Sequence, residues 1–379
     1  MITELNIYNF KAFQQTGTIK LGALTLLTGI NGRGKSSFLQ SILLVSQSII
    51  NSATHTPVNL ITNGIWLNLG TFNELTNIDS LDNNIRFQFH TDAKIDNHFE
   101  LSYSASQSHS GGELYSMKVN DMETFIELGS YGENINPNNK ERIPPTFSGY
   151  TSLINLQNLY YIAAERNSAQ NEEALSTNVK IHMDARGRNI LNIIFQQGDD
   201  FQHEIEKYLN QIFEGATFKI KSDEKILHLY MDATNNGKHF KPVNVGYGYS
   251  YVLTLLTAGL LAKKGEIIII ENPEAHLHPS AQASIMHFFI NDVLNKGVQI
   301  FMETHSDHIV NASLIAVRKA DVTLTNEQLE ILFFNRYNTV NNDISIQNLE
   351  ITSKGRVKNP PKKFCDQYAM DLKTLMGFD

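Results

Sequence analysis

One cysteine, Cys365, stands among 379 residues. No intramolecular disulfide can form from it, and no cysteine-based zinc site either. The chain also lacks an excess of positive charge. Lys and Arg number 31 against 39 Asp and Glu, for a formal net charge of −8. That excludes the global basicity of a non-specific DNA binder and leaves only a local basic face open. Long apolar runs are missing too. Ile42–Val45, Val252–Leu261 and Ile267–Ile270 all fall short of the ~18 residues needed to cross a bilayer. The start, Met1-Ile-Thr-Glu-Leu, lacks the basic-then-apolar layout of a signal peptide. Together these absences predict a cytoplasmic chain that does not engage a membrane. No internal repeat or low-complexity tract is seen. The hydrophobic share of 41% and charged share of 18% are those of an ordinary globular protein. The length suits one large α/β domain with insertions, or two domains.

The hydrophobic pattern predicts strands over 2–8 and 18–28, the latter broken near Gly17 and Gly22. A helix follows from Ser36 to Ile50, with Phe38, Leu39, Ile42, Leu43 and Ile49 forming its apolar stripe. Short strands and turns fill 60–105, and Arg86–His90 alternates as a half-buried strand does. The turn signals at 110–112, Asn136–Asn139 and Pro144-Pro145 predict an inserted subdomain with flexible connections over 106–150. A strand over Leu159–Ala164, an amphipathic helix from Phe201 to Phe213, a strand over Ile226–Met231 and a hairpin turn at Asn235-Asn-Gly come next. The second half alternates more plainly. A helix over Val252–Leu261 precedes a buried strand over Glu266–Ile270. A helix over Ala281–Leu294, a strand over Val298–Met302 and a helix from about His308 complete it. Such alternation argues an α/β fold, a mostly parallel sheet with helices on both faces. The expected division is 1–105 as an N-terminal lobe, 106–240 as an inserted helical and β region, 241–320 as a C-terminal lobe, and 321–379 as an extension.

Four constellations carry chemistry. Residues 29–36 read Gly-Ile-Asn-Gly-Arg-Gly-Lys-Ser, a complete phosphate-loop pattern between a strand and a helix. Its glycines let backbone N–H groups turn inward, and the helix start adds its positive dipole end. Asn31, Gly32, Arg33, Gly34, Lys35, Ser36 and Ser37 are the expected nucleotide contacts. Lys35 reaches the β- and γ-phosphates and Ser36 ligates Mg²⁺. Second, the strand in 267–274 ends in Glu271-Asn-Pro-Glu. A carboxylate there sits at the sheet's carboxyl edge, where ligands bind, and Glu271 could hold Mg²⁺ directly or through water. Third, 298–307 ends in Glu-Thr-His-Ser-Asp. Parallel strands put their ends on one edge, so His305 is expected near Glu271, either sensing the γ-phosphate or as a satisfied structural histidine. Fourth, Asn244-Val-Gly-Tyr-Gly-Tyr-Ser precedes the 252–261 helix. It suits either anion contact or a purely structural Gly-x-Gly turn. His276 and His278 invite a zinc assignment, but lack a spaced third ligand. A loop shaping the site or a subunit contact is the reading preferred.

Together these segments resemble the RecF/SMC-like branch of ABC-type ATPases, and within it the OLD-like ATPases of bacteria. Leu5-Asn-Ile-Tyr-Asn-Phe-Lys-Ala-Phe resembles the branch's opening strand. The 244–250 segment is similar to its variant signature, Glu271-Asn-Pro-Glu-Ala-His-Leu-His-Pro to its Walker B and D-loop, and Glu303-Thr-His-Ser-Asp-His to its switch-histidine segment. Residues 354–367 look like a degraded Trp-Pro-x-Gly-Phe-Phe-Asp-Gln tail, which marks a subfamily with a short uncharacterised C-terminal domain. The resemblance covers both ends of the chain and says little about 80–230.

The resemblance implies an ABC-type ATPase head, with an antiparallel β subdomain and an inserted middle region. It implies ATP and Mg²⁺ as cofactors. It implies a homodimer or higher homo-oligomer in which Gly248 and Ser250 of one chain meet the γ-phosphate held by Lys35 of another. Relatives often carry Asp-Glu or Glu-Glu where this chain has Glu271-Asn272. Asn272 can orient a water but cannot take its proton, so slow hydrolysis is expected, with Glu274 as a substitute base. The catalytic set is then Glu271, Asn272, Glu274 and His305. Arg166 either points into the nucleotide site or forms a surface ion pair. No acid cluster like that of a TOPRIM nuclease follows His308. The resemblance therefore implies a subunit of an anti-phage system that controls a separate effector such as a nuclease. A repair ATPase that binds nucleic acid directly and an inert nucleotide-bound scaffold are the alternatives.

Overall fold

The computed structural model describes residues 1–52, 57–94, 97–107, 109–120, 122–125, 134–135, 142–143, 156–166, 172–176, 182–234, 236–319, 324–336 and 344–377. The expected turns at Asn136–Asn139, at Pro144-Pro145 and at Asn235 lie outside them. The chain divides into two units. One comprises Met1–Leu159, Asn326–Thr352 and Arg356–Asp379, the other Tyr160–Thr325 with Ser353–Gly355.

The first unit carries an eight-stranded sheet. Its central strands Ile2–Phe10, Ile85–Thr91, His98–Ala105 and Gly112–Val119 pair antiparallel in succession. The strand Ile85–Thr91 alternates buried and half-buried along its whole length, as the Arg86–His90 pattern predicts. Phe10 meets Phe87 edge-on at 5.5 Å on the buried face. The segment after 106, expected as a loosely connected insertion, begins instead as a regular strand. Gly112–Val119 is paired on both sides, with His98–Ala105 and with Met122–Phe125. The glycines that read as loop signals lie at the strand's opening turn.

In the same unit Leu24–Gly29 runs parallel to Leu329–Arg336, which pairs antiparallel with Ile344–Asn348. The expected strand over 18–28 is thus two pieces, Ile19–Lys20 and Leu24–Gly29. Helix Lys35–Ile50 covers this layer with Phe38, Leu39, Ile42 and Leu43 fully buried. Phe38 packs edge-on against Phe334 at 6.1 Å.

In the second unit Ile267–Glu271 and Gln299–Glu303 pair parallel, from Ile267 opposite Gln299 to Glu271 opposite Glu303. All four isoleucines of the first strand are buried, as expected of a strand covered on both faces. Helix Tyr247–Leu261 buries residues around its circumference. It begins five residues before the apolar run that predicted it, because polar Tyr247–Tyr251 form its first turn. Helix Asp199–Ile212 is amphipathic, burying Ile205, Tyr208, Leu209 and Ile212. Helix Pro279–Phe288 passes into a π turn, Phe289–Val293, and a 3₁₀ turn, Leu294–Lys296, where one longer α-helix was expected. A small antiparallel sheet of Glu172–Ala174, Ile226–Asp232 and Thr217–Ser222 completes the unit. Among the described residues no helix is long and apolar enough to cross a membrane.

Ile269, fully buried in the acid-bearing strand, is a direct probe of this layer. Ile269→Ala should cost about 2–5 kcal/mol, read as a lower urea midpoint in equilibrium unfolding followed by circular dichroism. An unchanged midpoint would mean the layer is not close-packed.

Candidate functional site

The expected site residues fall in both units, and each half has its own geometry. In the first unit the strand Leu24–Gly29 delivers the chain into the glycine-rich loop. Gly29 has φ +121°, and a Cβ there would lie 2.3 Å from the Phe334 carbonyl oxygen. Only glycine fits this close approach to the neighbouring strand. Gly34 stands at the N-cap of helix Lys35–Ile50 in the left-handed region, and no side chain caps the helix. No acid lies in the first turn. The first-turn N–H groups and the positive dipole end are thus not offset by the helix's own side chains. Lys35 is 4% exposed. Its Nζ donates to the Gly29 and Ile30 carbonyls at 3.2 and 3.1 Å. These bonds hold a cation over the loop. Arg33 Nε is buried with no hydrogen-bond partner. A dipole end, a folded-in ammonium and an unsatisfied guanidinium nitrogen fit a polyphosphate.

In the second unit the acids of the two parallel strand ends come together. Glu271 and Glu303 are paired in register. Glu271 Oε1 accepts from the Tyr161 hydroxyl at 3.0 Å, and Oε2 accepts from the Ala164 backbone N–H at 3.1 Å. Burial, and then the Glu271 charge, push the Tyr161 hydroxyl well above its usual range. Tyr161 therefore stays protonated and donates. It was not among the site residues expected from sequence. The strand at 159–164 was visible, but nothing in Leu-Tyr-Tyr-Ile marks one tyrosine as a carboxylate partner.

Past the strand end, Asn272 takes φ 46°, a left-handed conformation that asparagine tolerates better than most residues. Its N–H donates to the Glu303 carbonyl at 2.8 Å. Its own carbonyl accepts from the Ala275 N–H and from Arg166 Nη2. Its side-chain Oδ1 is buried and has no partner. Glu274 then turns back. Its oxygens accept from Thr304 Oγ1 at 2.9 Å and from the His305 N–H at 2.7 Å. His305 is therefore positioned by Glu274 through its backbone, and Glu271, Asn272, Glu274 and His305 form one connected cluster.

Arg166 is 4% exposed and makes no ion pair among the described residues, so the surface ion-pair alternative does not hold. Its guanidinium lies 5.1 Å from the Tyr251 ring centre. The Tyr251 hydroxyl donates to the Arg166 carbonyl at 2.8 Å. Nε and Nη1 have no partner. Burial lowers the Arg166 pKa to about 10, against the pull of Tyr251, Glu274 and Glu271. The arginine remains a cation at neutral pH, with two donors unsatisfied.

Gly248 and Ser250 lie in the first turn of helix Tyr247–Leu261. A Cβ on Gly248 would come 2.7 Å from the His276 carbonyl, so the glycine lets the His276 loop lie against the helix. Ser250 is 2% exposed, and its Oγ has no partner. Tyr247, by contrast, is 55% exposed. His276, at φ 62°, packs 4.9 Å from Tyr251. His278 caps helix Pro279–Phe288 through Nδ1. Both histidines shape the loop. Among the described residues no group of three His, Cys, Asp or Glu could hold a metal. Mg²⁺, which keeps several waters and shares phosphate oxygens, needs only one or two protein ligands. The Ser36 hydroxyl in one unit and the Glu271 carboxylate in the other are each oxygen ligands of the kind Mg²⁺ takes.

Residues 24–311 match the family described as "AAA domain, putative AbiEii toxin, Type IV TA system". An ATP/GTP phosphatase of Helicobacter pylori (strain ATCC 700392 / 26695) is 24% identical over 352 residues, or 85% of this chain and 90% of that protein. Two solved structures align over 92% of this chain, each at 11% identity. One is the Smc head bound to the C-winged helix domain of ScpA, with TM-score 0.49 over 98% of that chain. The other is the SMC head domain from Thermotoga maritima, with TM-score 0.47 over 99% of that chain.

Two predictions follow the buried charges. A buried cation with unsatisfied donors contributes little to stability, and an apolar residue of similar length is neutral or better. Arg166→Met should leave the melting temperature of the nucleotide-free protein unchanged or raised in calorimetry. A loss above about 3 kcal/mol, the scale for breaking a compensated buried pair, would show that the charge is already satisfied. Tyr161 has a folded pKa above its unfolded value. Its contribution is therefore complete below pH ~10 and is lost as pH rises beyond that. Alkaline unfolding should begin at lower pH in the wild type than in Tyr161→Phe, once each is normalised to its stability at pH 7. Coincident curves would detach Tyr161 from the alkaline transition.

Proposed function

Because this chain belongs to the AAA-domain family of the AbiEii type, we propose that it is the ATP-binding, slowly hydrolysing subunit of a bacterial anti-phage defence complex. The ATPase class comes with the family; the low turnover, the complex and the effector are the proposal. The family's description names a toxin–antitoxin system, and the Helicobacter pylori relative is named an ATP/GTP phosphatase. Both are compatible with such a role. The observation that carries the nucleotide reading is the uncapped helix at Gly34, with Lys35 folded over its loop.

In this reading loop residues Asn31 to Ser37 bind the phosphates, and Lys35 takes the β- and γ-oxygens. Ser36 and Glu271 are the residues that would hold Mg²⁺, which would supply positive charge against the phosphates. Tyr161 and the Ala164 N–H orient the Glu271 carboxylate. Asn272 positions the attacking water without accepting its proton, and Glu274 serves as the substitute base. His305, tethered through its N–H to Glu274, reads the γ-phosphate. Slow chemistry makes the ATP-bound dimer long-lived, and that dimer licenses a separate effector such as a nuclease. Ser250 is buried within its own chain. Its contact with a second copy's phosphate therefore requires the first turn of its helix to open, which couples dimerisation to a conformational step.

Turnover of the purified protein should fall below the ~1–100 s⁻¹ usual for phosphoryl-transfer enzymes. Lys35→Ala should abolish ATP binding and any ATP-dependent dimer seen by light scattering. Asn272→Glu should raise turnover while costing about 1–2 kcal/mol for a less tolerant residue in the left-handed region. Wild-type turnover in the ordinary range would end the slow-switch reading. A Glu274→Gln variant with full activity would remove Glu274 as the base.

A further inference from the structure

The chain's net charge of −8 conceals a local reversal. Residues 354–363 read Lys-Gly-Arg-Val-Lys-Asn-Pro-Pro-Lys-Lys, five cations and no acid. The remainder of the chain therefore carries −8 − 5 = −13. Lys354, Arg356, Lys358, Lys362 and Lys363 are all exposed. Lys358 pairs with Glu350. Lys354, Arg356, Lys362 and Lys363 make no ion pair among the described residues. In an acidic protein these four exposed cations, close together in sequence, have no carboxylate partner among the described residues, so ion pairing within the chain does not account for them.

The backbone that carries them is pinned. Ile351 and Val357 form an antiparallel bridge. Thr352 N–H donates to the Arg356 carbonyl, and Lys358 N–H to the Glu350 carbonyl, both at 2.8 Å. Beyond the hairpin, Asn359 and Lys363 take left-handed conformations on either side of Pro360-Pro361. Lys363 N–H donates to Asp366 Oδ2 at 2.9 Å. Phe364 is buried and meets Phe333 edge-on at 5.9 Å, which anchors the end of the segment in the core. The cations thus ride on a fixed strap, and little backbone entropy is lost when it binds.

We infer that this strap, residues 354–363, is a docking surface for the phosphate backbone of duplex nucleic acid. Its chemistry favours phosphates over lipid. The aromatic Phe364 is turned inward and Val357 is half-buried, so the strap has no exposed large apolar side chain to insert into a bilayer. It favours a duplex over a single strand, since no exposed aromatic is present for bases to stack on. Lysine and arginine contacts of this kind position without reading sequence. The surface stands apart from the ATP reading, and either can fail alone.

The test uses the full chain and a fluorescein-labelled 20-base-pair DNA, titrated by anisotropy at 50 to 200 mM KCl. Four phosphate contacts imply an affinity loss of about a hundredfold across that range, at a log–log slope of about −0.9 per contact. The quadruple variant K354Q/R356Q/K362Q/K363Q should lose at least tenfold in affinity at 50 mM and most of that slope. Its thermal melt and ATP turnover should match the wild type, which separates lost docking from lost folding. Matched double-stranded RNA should bind through the same four cations, while an oligonucleotide of single-stranded DNA should bind more weakly. Equal duplex affinity of variant and wild type overturns the inference. So does an absence of duplex binding at 50 mM, or binding to phosphatidylserine vesicles with none to DNA.

Discussion

The hydrogen bond from the Asn272 N–H to the Glu303 carbonyl, 2.8 Å long, is the constraint from which the acidic half of the site is built. It continues the parallel pairing one step past the strand end. The chain must then turn sharply, and it does so through a left-handed asparagine. That turn sends Glu274 back to the Thr304 hydroxyl and the His305 N–H. Two segments separated by some thirty residues are thereby locked into one unit. The Glu274 carboxylate, held by two donors, ties the His305 backbone to this turn.

The same turn gives Asn272 a backbone reason to exist. From sequence alone it reads as a chemical departure, an amide where an acid is expected. In the structure it also occupies a conformation that asparagine adopts at less cost than glutamate. Chemistry and backbone geometry pull in one direction: the position carries an amide, which takes up no proton, in a conformation that suits asparagine. Arg166 adds the opposite charge. It is desolvated, stacked near Tyr251 and bonded to the Asn272 carbonyl, with two donors unsatisfied. Buried polar groups without partners are rare in native proteins and concentrate where a ligand or a second state supplies the partner.

Outside the site, charge is distributed unevenly. The total is acidic, while the pinned strap at 354–363 offers five cations on a fixed backbone. One sequence signal points two ways for a physical reason. The glycine-rich stretch before Gly112 looks like a flexible loop, yet it opens a strand paired on both sides. Glycine marks both flexible turns and tight approaches, and composition cannot separate the two.

Local chemistry in the chain determined the phosphate loop, the buried isoleucine strand, the acids at its end and the helix that follows Gly34. Each depends on residues adjacent in sequence, where periodicity and backbone preference act directly. The tertiary structure alone decided that Tyr161 and the Ala164 N–H orient Glu271, that Arg166 is buried rather than a surface ion pair, and that Gly248 is a packing glycine against His276. It alone placed Ser250 inside the molecule. These are contacts between segments distant in the chain. No local pattern encodes them, because burial and partner identity arise only when the strands are assembled.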